Sequence, residues 1–301
     1  MKAQSIGTMT AWCGVCLIQS VMAYDSALSD SATAPELVGD NGDWPAFEAA
    51  VDFCTRQVTY GLADNRDPVV TAEAAVEWHG FTFESALVFD TTEWGRDHGG
   101  YGNRQGQYQE LAFGSGYTHA FSPEDYAFLP TTVELGVNTI YEYHPPVCKE
   151  RGEANPNTQF INAGVMLPGL WLTPAVSAEV DIDNVNGAVY LAGEVGHSFT
   201  LIKSAGGRKS DPLSLSLGAG VGFGNPRRNE YDAGFDAYAF KDVWFSAALE
   251  WHLTDRITLT PYVAVYEQLH RRLREAARAC IEGETHTSTQ VVGGLRLAAC
   301  F

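Results

Sequence analysis

Past its N-terminal segment the chain has no run of roughly 18 consecutive apolar residues, which excludes a membrane-spanning helix there. Positive charge is scarce. Lys and Arg number 19 against 37 Asp and Glu, for a formal net charge of −18. Nucleic-acid binding needs a basic face for the phosphates, so that class is excluded. Cysteine is sparse too, six in 301 residues. Beyond the N-terminal segment the cysteines are Cys54, Cys148, Cys280 and Cys300, and they lack the close pairs of a zinc site or a dithiol redox motif. No cofactor is implied by any motif. A Gly-x-Ser-x-Gly nucleophile in a strand–turn–helix setting is also missing, because Gly114-Ser115-Gly116 lies inside an alternating segment.

What the chain does contain points to β-structure. Hydrophobic residues make up 45% and charged residues 19%. With a mean hydropathy of −0.13, the chain is neither a disordered polymer nor a bundle of apolar helices. Thirty glycines and 12% aromatics suit an all-β chain with many tight turns. At the N-terminus, Lys2 precedes the moderately apolar run Ala11–Ile18, which ends near Val21-Met22-Ala23. This pattern predicts an export signal over 1–23. A polar segment follows over 24–45, and a barrel domain is predicted over 46–301.

The barrel reading rests on alternation. In Leu213–Phe223 every odd position is apolar and every even one is Ser or Gly. Side chains of a strand point alternately to opposite faces, so one face meets an oily medium and the other a polar one. Ile257, Leu259, Val263 and Val265 alternate in the same way with polar residues, as do Leu295, Leu297, Ala299 and Phe301 around Arg296. Twelve strands are predicted, near 46–60, 68–79, 81–90, 106–120, 131–144, 157–168, 174–183, 187–203, 212–225, 238–253, 256–268 and 286–301. Several can cross a bilayer when tilted, which takes about 9–11 residues. The links tend to alternate between short turns such as His79-Gly80 and long polar loops such as Thr91–Gln105 and Pro145–Pro156. An even strand count places both ends in the periplasm. Phe301, ending the last strand, then reads as an assembly signal for the barrel-assembly machinery. A soluble β-sandwich is the competing architecture.

Phe53-Cys54-Thr55-Arg56-Gln57 followed by Asp67-Pro68-Val69 is similar to the first strand and loop of the bacterial outer-membrane barrels of the Gcw_chp type. Thr173-Pro174, Asp181-Ile182-Asp183 with Gly187, and His197-Ser198-Phe199 resemble the central hairpin of that family. Asp242-Val243 through Thr260-Pro261-Tyr262 resembles its late hairpin. Gln57 stands where the family usually has glycine. The resemblance implies an outer-membrane barrel and brings no established activity.

Hydrocarbon repels carboxylates, so the parity that sends apolar residues outward sends Glu48, Asp52, Glu73, Glu77, Glu84, Asp90, Glu110, Glu134, Glu142, Glu179, Asp181, Asp183, Glu194 and Glu250 into the lumen. Arg56, Arg296 and His252 are the positive or titratable residues on that face. Such a lumen suits a channel or binding barrel that prefers small cationic solutes. The alternative is a closed barrel with a structural or surface-interaction role. Glu179, Asp181 and Asp183 form a local acidic ladder, read either as a divalent-cation site or as solvated carboxylates at a strand end. Leu269, Leu273, Ala276, Ala277 and Cys280 repeat at helical spacing in a loop that also carries Arg271, Arg272, Arg274 and Arg278. That loop is read in three ways: resting on lipopolysaccharide phosphates, folding inward as a plug, or standing as a solvated helix. An enzyme is not expected. His119, His197 and His252 lie on or near strands, and catalysis would require one of them to share a face with a nucleophile on an adjacent strand. A Cys148–Cys280 bridge between external loops is the favoured disulfide if one forms. Cys300 is expected near Phe47, several positions from Cys54. Outer-membrane lipid, lipopolysaccharide and small solutes or cations are the expected partners.

Overall fold

The computed structural model describes residues 45–60, 62–65, 68–92, 108–144, 157–203, 212–279 and 288–301. The predicted export signal, almost all of the polar segment, Cys148, Cys280 and the side chain of Arg278 lie outside what it describes. In chain order the elements are β1 (Ala46–Cys54), β2 (Gln57–Thr59), β3 (Leu62–Asn65), β4 (Val69–Trp78), β5 (Phe81–Asp90), β6 (Tyr108–Phe121), β7 (Val133–Tyr143), β8 (Thr158–Met166), β9 (Ala175–Asp181), β10 (Val189–Ile202), β11 (Leu213–Gly224), α1 (Pro226–Ala233), β12 (Ala239–His252), β13 (Ile257–Gln268), α2 (Arg271–Ala279) and β14 (Thr289–Cys300).

Twelve of these strands close into one antiparallel barrel, in which β1 joins β4 on one side and β14 on the other. Each of the twelve falls within or beside a predicted strand. β2 and β3 form a separate two-stranded sheet. The closing seam pairs Glu48 with Cys300 and Cys54 with Gly294. Phe301 N–H donates to the Phe47 carbonyl at 2.9 Å, and their rings lie 6.1 Å apart. Cys54 and Cys300 therefore sit at opposite ends of the seam, and both are free thiols.

The wall has the polarity its sequence requires. On β1, Phe47, Val51 and Phe53 are exposed outward, while Ala50, Asp52 and Cys54 between them are buried inward. Aromatic residues gather on the outer surface towards both rims. Phe81 and Tyr117 meet at 4.8 Å near the rim that carries the chain ends, and Trp78, Trp171 and Trp251 are exposed at that level. Phe240, Tyr238 and Phe223 cluster near the opposite rim. Links at the rim of the chain ends span 79–80, 122–132, 167–174, 203–212 and 253–256. Those at the opposite rim span 55–68, 91–107, 144–157, 182–188, 225–238 and 269–288.

The shortest link shows how local chemistry sets register. His79 and Gly80 both have positive φ, 51° and 81°, as a type I′ hairpin turn requires. The Gly80 carbonyl then accepts Thr118 N–H at 2.9 Å. In Gly80→Ala the left-handed position costs about 1 kcal/mol. The new Cβ would also stand 2.5 Å from the Thr118 carbonyl oxygen. The variant is expected to unfold at lower urea than the wild type when both are equilibrated in lipid vesicles. An unchanged midpoint would overturn this account of the turn.

The first strand differs from its predicted range of 46–60. β1 leaves the wall after Cys54, where Thr55 makes the last ties to β14: its N–H donates to the Gly293 carbonyl at 2.8 Å and its Oγ1 accepts Gly293 N–H at 3.0 Å. Gln57, Val58, Thr59 and Tyr60 are then buried in succession. A strand in a membrane wall must show every second residue to lipid, so four consecutive buried residues belong inside. The β2–β3 hairpin folds into the lumen at the rim opposite the chain ends.

Candidate functional site

The inner wall is built by pairing large polar side chains with glycines on neighbouring strands. A Cβ on Gly220 would lie 2.1 Å from the Trp244 ring, and one on Gly294 would lie 2.1 Å from the Tyr262 ring. On Gly222 it would lie 2.0 Å from the Tyr190 hydroxyl and 2.3 Å from Asp242. The small residues of β11 and β14 thus let aromatic side chains lie flat along the wall and fill the bore from the side.

The half of the lumen near the chain ends is acidic. Arg296 of β14 donates through Nη2 to Glu48 of β1 at 2.8 Å and through Nη1 to Glu73 of β4 at 2.7 Å. Three strands are joined by one fork of parallel N–H donors. Asp52 accepts the Tyr262 hydroxyl at 2.8 Å. Glu77, Glu84, Glu134, Glu194 and Glu250 occupy inward positions of β4, β5, β7, β10 and β12. His252 also faces inward, with its Nδ1 3.0 Å from Thr258 Oγ1.

The other half is narrowed by the hairpin and α1. Asp90, Glu110 and Glu142 are buried there, and His144 Nε2 stands 3.9 Å from Glu142. Arg56, which opens the inward turn, donates to Gln290 of β14 at 2.7 Å. Tyr60 reaches the far wall. Its hydroxyl donates to Glu179 of β9, its ring lies 4.6 Å from Tyr190 of β10, and its carbonyl accepts Gln268 Nε2 of β13 at 3.0 Å. Tyr60 has φ of 49°, a conformation that costs a non-glycine residue on the order of 1 kcal/mol and persists only where contacts hold it.

Helix α1 closes over this hairpin. Asn225 caps it by accepting Arg228 N–H at 2.9 Å, and Pro226 takes the first turn. Asn229, fully buried, donates to the carbonyls of Gly224 and Ala237 at 2.9 and 2.7 Å. So fixed, the helix projects Arg228 into the lumen, its Cζ 3.8 Å from the centre of the Tyr60 ring. Glu179 lies 3.5 Å from Arg228 Nη2, and Asp232 lies 3.4 Å from Nε. Lys241 pairs with Asp232, and Tyr190 donates to Asp242 at 3.0 Å. Burial alone draws the Arg228 guanidinium down, but the carboxylates of Asp232, Glu179 and Asp181 around it outweigh this and hold it above the ordinary arginine range. Burial pushes the Tyr60 phenol well above its ordinary value, so it stays a donor.

One residue departs from the sequence expectations. Asp183 is not a lumen residue. It lies past the end of β9, exposed in the turn, where its N–H donates to Asp181 Oδ1 at 2.9 Å. The acidic ladder is thereby split. Glu179 is engaged by Tyr60 and Arg228, and Asp181 accepts Thr158 Oγ1 at 3.1 Å. No cluster of three or more metal-ligating side chains occurs among the described residues. The arginine-rich segment forms a helix, α2, as its spacing predicts, and Arg271 and Arg272 are exposed on the rim, so the inward plug is the one of its three readings that these residues do not adopt. Leu273 is the buried anchor of α2, and His270 stacks on Phe235 at 4.4 Å. The inward helix is α1, and Arg228, Asp232, Lys241, Asp242 and Tyr60 are the site residues that sequence reasoning missed. A signal existed in Lys241-Asp242, where two polar residues interrupt the alternation. A bulge against β11 at that point puts both inside.

Ser115 lies on the outer face of β6 between exposed Phe113 and Tyr117. His119 shares that face four positions on, about 13 Å away by strand rise. His197 also faces outward, its Nδ1 2.6 Å from the Trp171 carbonyl oxygen. His252, facing inward, shares no surface with them.

A closed barrel that is apolar outside, polar inside and banded by aromatics near both rims is a transmembrane antiparallel up-and-down barrel. No protein-family model and no curated protein sequence matches this chain. Among solved structures it resembles an outer membrane channel from Pseudomonas putida F1, with a TM-score of 0.44, 11% identity, and coverage of 87% of this chain and 99% of that one. It also resembles LpxR from Salmonella typhimurium, with a TM-score of 0.41, 9% identity, and coverage of 84% and 99%. A third likeness is to the outer membrane protein Omp33 of Acinetobacter baumannii, with a TM-score of 0.37, 9% identity, and coverage of 87% and 100%. These are likenesses of fold.

Proposed function

We propose that this protein is a Gram-negative outer-membrane barrel that passes small cationic solutes through an acidic lumen constricted at one rim. The supporting observation is the charge of the inner wall. Its carboxylates come from β1, β4, β5, β6, β7, β9, β10 and β12, whereas the lumen cations among the described residues are Arg56, Arg228, Lys241 and Arg296, each held by a lumen partner. Low-dielectric walls focus such a field, so mobile cations are enriched inside and anions depleted. Salt weakens the effect, because the screening length is about 8 Å at physiological ionic strength.

The test is a reversal potential measured on refolded protein in a planar bilayer under a potassium chloride gradient. Cation selectivity that falls as salt rises is expected. Anion selectivity at low salt would overturn the reading. A closed barrel with a structural role is the second reading, favoured by the burial of inward side chains such as Val88, Ile140, Phe160 and Trp244 around the constriction. Absence of any conductance would select it. Arg271 and Arg272, exposed on the same rim, suit contact with lipopolysaccharide phosphates.

A further inference from the structure

We propose that the rim constriction is a recognition site for guanidinium-bearing solutes, with Arg228 seated in it as a tethered surrogate ligand. This deepens the cation-passage reading and rests on it. A guanidinium is planar, weakly hydrated and bears donors around its edge, so it is recognised by an aromatic face together with carboxylates in its plane. The constriction supplies both. Tyr60 lies against Arg228 at 3.8 Å, and Glu179 and Asp232 flank the guanidinium at 3.5 and 3.4 Å.

Three features make this occupant exchangeable. Both ion-pair distances are long for charge-assisted hydrogen bonds, which run to about 2.7–2.9 Å, so Arg228 is held by charge and stacking more than by directed bonds. The helix does not depend on Arg228 for its seat, because Asn225 and Asn229 fix α1 through backbone groups of Gly187, Gly224 and Ala237. The side chain can therefore leave without moving the helix. Finally, Tyr60 does not depend on Arg228 for its place. Gln268, fully buried, donates its Nε2 to the Tyr60 carbonyl at 3.0 Å, and the Tyr190 ring packs against the Tyr60 ring at 4.6 Å. A free solute guanidinium entering from the rim can take the place of Arg228 on Tyr60, Glu179 and Asp232.

The experiment titrates L-arginine, with its uncharged isostere citrulline as control, into detergent-solubilised full-length barrel by calorimetry, and in parallel measures block of potassium current in bilayers. Arg228→Gln removes the tethered competitor, so arginine is expected to bind it at least about tenfold more tightly than the wild type, a difference of about 1.4 kcal/mol. Citrulline should not bind. Adding Tyr60→Leu to that variant should abolish arginine binding while leaving the heat-modifiable mobility of the barrel in SDS unchanged. Equal arginine affinity in wild type and Arg228→Gln, or equal binding of arginine and citrulline, would overturn the proposal. If Arg228→Gln fails to fold, the wild type decides: arginine but not citrulline must block the current or bind, and an equal response to both refutes the site. The two readings stay separable. A barrel that binds arginine yet carries no current keeps the site and refutes the passage. Cation-selective current without preference for arginine does the reverse.

Discussion

A barrel in which residues 55–68 are replaced by a two-residue turn is expected to carry several times the single-channel current of the full-length protein. The replacement is feasible because the strand ends it joins are already neighbours: Cys54 pairs with Val69 across β1 and β4. In an antiparallel ladder such a pair stands about 5 Å apart, the span of a tight hairpin. What is removed is the part of the constriction that reaches across the bore. Val58 and Tyr60 are buried, and Tyr60 alone touches β9, β10 and β13, of which β9 and β10 lie across the barrel from β1. The wall loses little, since β2 and β3 pair only with each other. A twelve-stranded barrel has a bore between that of small side-chain-filled barrels and that of wide porins, so what lies inside decides whether it conducts. The measurement is single-channel recording of both forms in one lipid. Unchanged current would show that the hairpin is not the seal. No current in either form would place the block in the wall side chains themselves.

The wall was legible because lipid imposes a rule on it. In Leu213–Phe223 the alternation predicts a strand, and β11 spans Leu213–Gly224 with its Ser residues buried inward. The His79-Gly80 turn and the seam position of Phe301 were equally readable. The first strand shows where that rule stops. Gln57-Val58-Thr59-Tyr60 continues a polar–apolar alternation, and Gln57–Thr59 does form a strand, but in a second sheet. A period of two cannot tell which sheet a strand joins.

The constriction was less legible for a related reason. Helix α2 was readable from its apolar spacing, of which Leu273 is fully buried. Helix α1 buries Arg228 and Asn229 instead, in a polar lumen, so Pro226–Ala233 shows no apolar stripe. Its signals were confined to the ends, Asn225-Pro226 at the start and Gly234 at the stop. Inside a barrel the usual inference is inverted: the buried face of a helix is its polar one, and hydrophobic periodicity misses it. The strand carboxylates could be given a face for the opposite reason, since hydrocarbon leaves them one side, whereas Asp183, past the end of β9, escapes that rule.

Arg296 offers the sharpest test of the inner charge, because stability and selectivity should move in opposite directions. Its guanidinium is the shared partner of Glu48 and Glu73, and it stands opposite Asp52 in the β1–β14 register. In Arg296→Gln these carboxylates face one another without a cation. Breaking a fully buried pair costs about 3–5 kcal/mol. Here the three side chains keep 12%, 26% and 20% exposure, so water relieves part of the penalty. A loss of about 2 kcal/mol is expected, read from urea unfolding in lipid vesicles. The same substitution removes a positive charge from the passage and leaves its carboxylates uncompensated, so cation selectivity should rise as stability falls. Glu73→Gln keeps Arg296 paired with Glu48, should destabilise less, and should lower the selectivity. If Arg296→Gln instead weakens cation selectivity, the focused field of the lumen does not have the sign its carboxylates give it, and the cation passage is refuted with the barrel intact.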